Sequence, residues 1–233
     1  FLGVAISIIS LAKILEYLFE KNELLVWAFF FGLILSSIYY VGKMVKSWNM
    51  ISYSSLIVGT SIAVIIAFLK PSSENDAIWY LFICGIVAVS SMILPGLSGS
   101  YVLILMGNYH LIMLQSVSDP FNHFDVLLPV VGGAIIGFFL LSHGISYILK
   151  KHYDATISLL TGFVIGSLII IWPWKNAGKT IIGRNGEEKI ISYQWNLPDP
   201  TDSSTIYALI LIFIGIITVW AIEKSGSLIS SNH

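Results

Sequence analysis

A proline and two glycines interrupt the most apolar part of this chain. Pro95-Gly96-Leu97-Ser98-Gly99-Ser100 stands between the apolar runs 77–94 and 101–114. Such residues break helices, and broken backbone inside a bilayer persists only where protein or water satisfies its polar groups. Membrane proteins place breaks of this kind mainly where a polar substrate or ion is held at membrane depth. The feature predicts a transport protein rather than an inert bundle.

The surrounding sequence supplies the membrane argument. Hydrophobic residues make up 56% of the chain and charged residues 11%, with a mean hydropathy of +0.86. That balance excludes an ordinary soluble domain. The net charge of −1 leaves no basic face for nucleic acid. The single cysteine, Cys84, lies in an apolar run and reads as a packed side chain. Phe1-Leu2-Gly3 lacks a methionine and a basic leader, so the chain is read as a piece of a longer one.

Apolar segments of spanning or near-spanning length cover residues 2–19, 24–41, 51–69, 77–94, 101–114, 126–149, 155–172 and 206–222. A crossing helix needs roughly 20 residues, and 101–114 falls short. A short arm after a Pro-Gly break predicts a re-entrant helical hairpin, entering and leaving on one side. Trp79, Trp172, Trp174, Trp195 and Trp220 fall at segment ends, as interfacial anchors do. Lys43, Lys46, Lys150, Lys151 and Lys224 then share one side, assigned to the cytoplasm. Lys175, Lys179, Arg184 and Lys189 sit opposite in the long connection 173–205.

Sliding the chain by 130 positions lays Gly3 on Gly133, Tyr17 on Tyr147, Lys21 on Lys151, Gly32 on Gly162 and Ser37 on Ser167. An odd number of crossings separates the copies, which predicts inverted repeats with a binding site where they meet. The expected fold is therefore all-α: a polytopic transmembrane helix bundle with inverted repeats and a re-entrant helical hairpin. One transmembrane domain covers 1–233, with a first repeat at 1–76, the hairpin at 77–115 and a second repeat at 126–225. The same offset puts a counterpart of Pro95 upstream of Phe1, so an N-terminal hairpin is expected to be missing.

The chemistry of the break suits an anion. Gly96 and Gly99 let backbone N–H groups converge, Ser98 and Ser100 add hydroxyls, and a helix starting near Tyr101 aims its positive end at the same point. Pro95 and Leu97 complete the candidate substrate-binding set. The bland alternative is an interfacial helix–turn–helix, where Pro, Gly and Ser are ordinary punctuation. Four other residues join the list. Lys13 and Glu16, three positions apart, share a helix face and pair, or snorkel to the interface. His143 occupies the place of Lys13 in the second copy, so the two cations meet a phosphate from opposite halves, or His143 is a packed histidine. Asp154 caps the helix it opens, or titrates during transport together with Glu16 and His143. The pairs Gly133/Gly137 and Gly162/Gly166 predict close helix contacts. The histidines are scattered, and neither a metal site nor a cofactor site is expected.

Leu94-Pro95-Gly96-Leu97-Ser98-Gly99-Ser100, followed by an aliphatic run and Gly107-Asn108-Tyr109, resembles the PopT-type undecaprenyl-phosphate translocase family. Lys151-His152-Tyr153-Asp154-Ala155-Thr156 and Trp172-Pro173-Trp174 extend the resemblance over nearly the whole chain. It implies a multi-pass bacterial inner-membrane protein that returns undecaprenyl phosphate to the cytoplasmic leaflet after envelope polymers are exported. It also implies two Pro-Gly-x-Ser-Gly motifs, of which this chain carries one. No bond need be broken, so no enzyme is expected. Two alternatives remain. Membrane prenyl-pyrophosphate phosphatases carry Pro-Gly-x-Ser-Arg-Ser, whereas Gly99 fills the arginine place here and Arg184, the chain's one arginine, sits in a loop. A small-ion channel or carrier needs a polar path, and the helices offer few polar residues on a shared face.

Overall fold

A computed structural model describes residues 2–178, 180–182, 188–190 and 193–230. Lys179, Arg184 and His233 lie outside the described residues. The protein is all-α apart from short strand pairs. The helices are α1 (Leu2–Gly42), α2 (Met50–Phe68), α3 (Ile78–Ile93), α4 (Gly99–Leu105), α5 (Phe124–Lys151), α6 (Tyr153–Ser167) and α7 (Ser203–Ser230). A π-helical turn, His110–Ser116, and a 3₁₀ turn, Pro120–Asn122, join α4 to α5. Between α6 and α7, β2 (Thr180–Ile182) pairs antiparallel with β3 (Glu188–Ile190), and β1 (Lys175–Ala177) pairs with β4 (Tyr193–Trp195).

Among the described residues, four helices are long and apolar enough to cross a membrane: Lys13–Gly42, Met50–Phe68, Phe124–Lys151 and Ser203–Ser225. At most 22% of any of these spans is buried inside the protein. Ile57, Ile65, Phe138, Phe139, Leu140, Ile210 and Phe213 face outward, and apolar surface on this scale needs lipid around it. This is a multi-pass membrane protein.

The helices differ from the sequence expectation at the arm 101–114, which ends as α4 at Leu105 and resumes as the π-helical turn at His110, and at the end of α6. Segments 2–19 and 24–41 are two helices, as expected, which α1 joins across a kink at the single non-helical residue Asn22 (φ −155°, ψ 69°). The charged residues Glu20, Lys21 and Glu23 are good helix formers, so no longer turn opens there. Helix α6 stops at Ser167 rather than Trp172. Leu168, Ile169 and Ile170 instead donate to carbonyls three residues back, at 3.2, 3.3 and 2.9 Å, a tightened last turn ahead of Pro173.

The chain divides into two compact units. The larger holds Tyr40–Ile170 and Asn176–Gln194, and within it α2 runs beside α6 and α3 beside α5. Glycines set both contacts, as the sequence predicts. A Cβ at Gly162 would strike the Leu56 carbonyl, one at Gly166 the Thr60 carbonyl, one at Gly133 the Phe82 carbonyl and one at Gly137 the Ile86 carbonyl. Backbones therefore meet without intervening side chains. Both pairs are parallel, since positions rise together along each. Lys46 and Ser47, before α2, touch Asp154 at the head of α6, so the two lysine-bearing turns lie at one end of this unit.

The smaller unit holds Phe1–Tyr39, Ile171–Lys175 and Trp195–His233. Here α1 packs on α7, again through glycine. A Cβ at Gly32 would strike the Ile212 carbonyl, and one at Gly215 the Phe29 carbonyl. Trp174 packs with the fully buried Ala28 and Ala208 at the head of this pair.

Candidate functional site

Helix α3 begins level with α5, where Ile78, Trp79 and Phe82 share a groove of about 1070 Å³ with Phe124, Leu128 and Pro129. At 1.5 Å per residue, α3 is roughly 24 Å long and α5 roughly 42 Å. The break at 95–100 thus falls within the length of α5. The returning arm α4 has seven residues, about 10 Å, which is too short to cross the hydrocarbon.

The end of α4 returns to the start of α3. Ser72 N donates to Leu105 O at 2.8 Å, and Tyr80 Oη donates to Met106 O at 2.9 Å. Asn108, fully buried, accepts from Asn75 N at 2.9 Å and donates through Nδ2 to Asn75 O at 2.7 Å. Gly107 has φ +78°, and a Cβ there would meet the Ser72 and Ser73 carbonyls at 2.5 and 2.6 Å. Only glycine fits that turn. The Gly107-Asn108-Tyr109 motif is therefore a clasp holding both arms at one end of the unit.

At the tip, Leu94 is extended (φ −80°, ψ 126°) and Gly96 is left-handed (φ +86°). A Cβ on Gly96 would meet Ser167 Oγ at 2.7 Å and Phe163 O at 3.2 Å, so the tip rests on the end of α6. Gly99 is buried against Ala88 O, at 2.7 Å from an added Cβ. Tyr101 Oη lies 3.4 Å from the carbonyls of Ile66 and Ala67 at the end of α2. Three helix ends thus converge on the break.

No side chain caps α4, and Ser98 and Ser100 instead share a hydroxyl–hydroxyl contact of 2.9 Å. First-turn amides of a helix have no carbonyl of a preceding turn to bond, so those of α4 face the break beside these hydroxyls. Gly96, Ser98 and Ser100 are exposed, while Pro95 and Leu97 are half-buried supports. Residues 95–100 thus offer amide and hydroxyl donors and carry no formal charge.

Lys13 and Glu16 are exposed on α1 in the smaller unit. His143 is exposed on α5 with Nδ1 2.9 Å from Phe139 O, so it is bonded to its own helix and not packed. Asp154 does not cap its own helix. Its Oδ1 accepts from Lys46 N at 2.8 Å, and Oδ2 accepts from Ser47 N at 3.1 Å and Ser47 Oγ at 2.7 Å. The Ser47 hydroxyl, then the Lys46 amide, hold its pKa below the usual carboxylate value. From Asp154 to Ser167 is about 20 Å along α6. Asp154 fastens a turn and stands away from the break.

Sequence reasoning missed Phe163 and Ser167 as the seat of the tip, and the reach of Tyr101 to the end of α2, because these contacts join helices distant in sequence. The clasp was signalled by Gly107-Asn108 directly after the short arm. Lys175 was also missed. Its Nζ stands 3.7 Å from the Trp27 ring centroid, and burial pushes its pKa down to about 8, with Glu23 opposing.

The family described as undecaprenyl phosphate translocase-like matches residues 1–189. A polyprenyl-phosphate transporter of Vibrio cholerae serotype O1 is 31% identical over 228 residues, covering 95% of this chain and 73% of that protein. A polyprenyl-phosphate transporter of Staphylococcus aureus is 31% identical over 187 residues, covering 74% of this chain and 66% of that protein. No solved structure matches the chain significantly. With the family match over residues 1–189 and a relative 31% identical across 73% of its own length, the chain belongs to the undecaprenyl phosphate translocase-like family.

Proposed function

We propose that this protein is a membrane transporter that moves undecaprenyl phosphate, or a closely related polyprenyl phosphate, across the bacterial inner membrane. The observation that carries the reading is the exposed, uncapped break at 95–100, held within the length of α5. A phosphate left unpaired in hydrocarbon costs several kcal/mol or more. Backbone N–H groups and the hydroxyls of Ser98 and Ser100 offset that cost without a fixed charge that would trap the lipid. The prenyl chain stays in the surrounding lipid. In this reading residues 1–233 form one transmembrane domain, with repeats at 1–76 and 126–225 flanking the re-entrant hairpin 77–115. The phosphate is held by Pro95, Gly96, Leu97, Ser98, Gly99 and Ser100. Lys13, Glu16, His143 and Asp154 act on charge balance during the cycle.

The test replaces Ser98 and Ser100 together by Ala, and separately Gly96 by Val, in the full-length protein. Each variant inserts into the membrane, and undecaprenyl phosphate builds up on the outer leaflet. Normal lipid distribution in cells relying on the Gly96→Val protein would remove the cradle from the mechanism. Release of inorganic phosphate from prenyl pyrophosphate by the purified protein would replace transport with hydrolysis.

A further inference from the structure

One end of the larger unit gathers lysines from two stretches of chain distant in sequence. Asp154 ties the stretches together, accepting from the Lys46 amide at 2.8 Å and from both the amide and the hydroxyl of Ser47. Residues 43–50 and 147–156 carry four lysines, Lys43, Lys46, Lys150 and Lys151, against one carboxylate, that of Asp154. All four lysines are exposed. The carboxylate is engaged by backbone amides and a hydroxyl, so the positive excess of these two stretches stands on the surface. Charge of one sign gathered in this way attracts anions.

The ammonium groups are set among aromatic rings. Lys46 Nζ stands 5.3 Å from the ring centroid of Tyr153, Lys151 Nζ 5.9 Å from that of Tyr147, and Lys43 Nζ 5.9 Å from that of Tyr40. These lie within the reach of a cation–π contact. In the same turn Trp48 pairs with Tyr53 at 5.2 Å, and both are exposed. Met44, Met50 and Ile51 are exposed too. Tyrosine and tryptophan favour the headgroup level of a bilayer, and lysine stems lie along apolar surface while their charge reaches out. A soluble anion would use the lysines and leave Met44, Trp48 and Met50 in water. A phospholipid uses both.

We propose that this end of the larger unit is a binding surface for anionic phospholipid, whose phosphate meets Lys46, Lys150 and Lys151 while its acyl chains cover Met44, Trp48 and Ile51. The anion is a lipid rather than a free phosphate because one turn, 43–50, interleaves its lysines with exposed apolar side chains. The surface is separate from the break at 95–100. Gly96 rests on Ser167 at the far end of α6, about 20 Å along that helix from Asp154. The proposal therefore stands whether or not the break carries a phosphate.

The experiment counts lipid bound to the full-length protein by native mass spectrometry from detergent micelles, with dioleoyl phosphatidylglycerol or dioleoyl phosphatidylcholine added. The unaltered protein retains phosphatidylglycerol in preference to phosphatidylcholine. Lys46→Gln combined with Lys151→Gln weakens phosphatidylglycerol binding roughly 10- to 30-fold, the loss expected for two ammonium groups at an anionic lipid surface. Lys46→Arg with Lys151→Arg keeps it. Lys21→Gln with Lys70→Gln removes the same charge elsewhere and leaves binding unchanged. These side chains are all exposed, so the unfolding midpoints of the variants stay together. Equal retention of the two lipids by the unaltered protein, or an equal loss in the Lys21/Lys70 variant, overturns the proposal. So does displacement of the lipid by glycerol phosphate, which would make the ligand a free phosphate compound. Retention of undecaprenyl phosphate with rejection of phosphatidylglycerol also overturns it, in favour of a second substrate site. Normal transport by the Gly96→Val protein, with lipid retention intact, refutes only the proposed function.

Discussion

Asn108 shows how much one side chain holds in place. Its amide bonds both backbone groups of Asn75 and is fully buried. Asn108→Ala leaves a buried donor and acceptor unpaired and costs about 2–4 kcal/mol, read as a lower unfolding midpoint with faster proteolysis at residues 69–77. Asp154 makes a pH prediction. Its folded pKa is depressed by the Ser47 hydroxyl and the Lys46 amide. Its contribution is therefore complete above the ordinary carboxylate value and disappears as pH falls through the lower, folded one. Asp154→Ala flattens the stability profile in that acidic window, and an unchanged profile would show the clasp to be idle. Lys175 behaves oppositely. Burial lowers its pKa to about 8 from 10.5, so the unfolded chain binds more protons between those values and stability rises with pH across them. Lys175→Met removes that rise.

Glycine governs which helices meet. The α2–α6 pair closes on Gly59, Gly162 and Gly166, and the α1–α7 pair on Gly32 and Gly215. Gly162→Leu drives a side chain into the Leu56 carbonyl and costs about 1–3 kcal/mol or more. Gly32→Leu costs a similar amount at its counterpart, and unequal losses would break the equivalence of the two pairs. The small-xxx-small spacing at 133/137 and 162/166 was legible as packing. Which partner each pair meets was not. Spacing names a face but carries no information about the helix opposite.

For the molecule as a whole, the decisive question is the depth of the break. In a Cys84→Ser background, Met44→Cys and Lys150→Cys react with a membrane-impermeant maleimide from one face, and Phe121→Cys from the other. Ser98→Cys reacts slowly from both. Labelling of Ser98→Cys as fast as Lys150→Cys, from the same face, would make 95–100 a surface turn between two complete crossings.

Local sequence determined a good deal here: an apolar all-α membrane chain, a break at 95–100, family membership, and lysine turns sharing one end of the larger unit. Each follows from composition, helix-breaking residues or a contiguous motif. Tertiary structure decided that Gly107-Asn108-Tyr109 is a clasp, that Ser167 and Phe163 seat the tip, and that Asp154 ties down 46–47 instead of capping α6. It also paired the segment of α1 after Asn22 with α7, and α6 with α2. These outcomes depend on which backbone approaches which, and that is settled by contacts between residues from 33 to 180 positions apart, beyond what periodicity along one helix encodes.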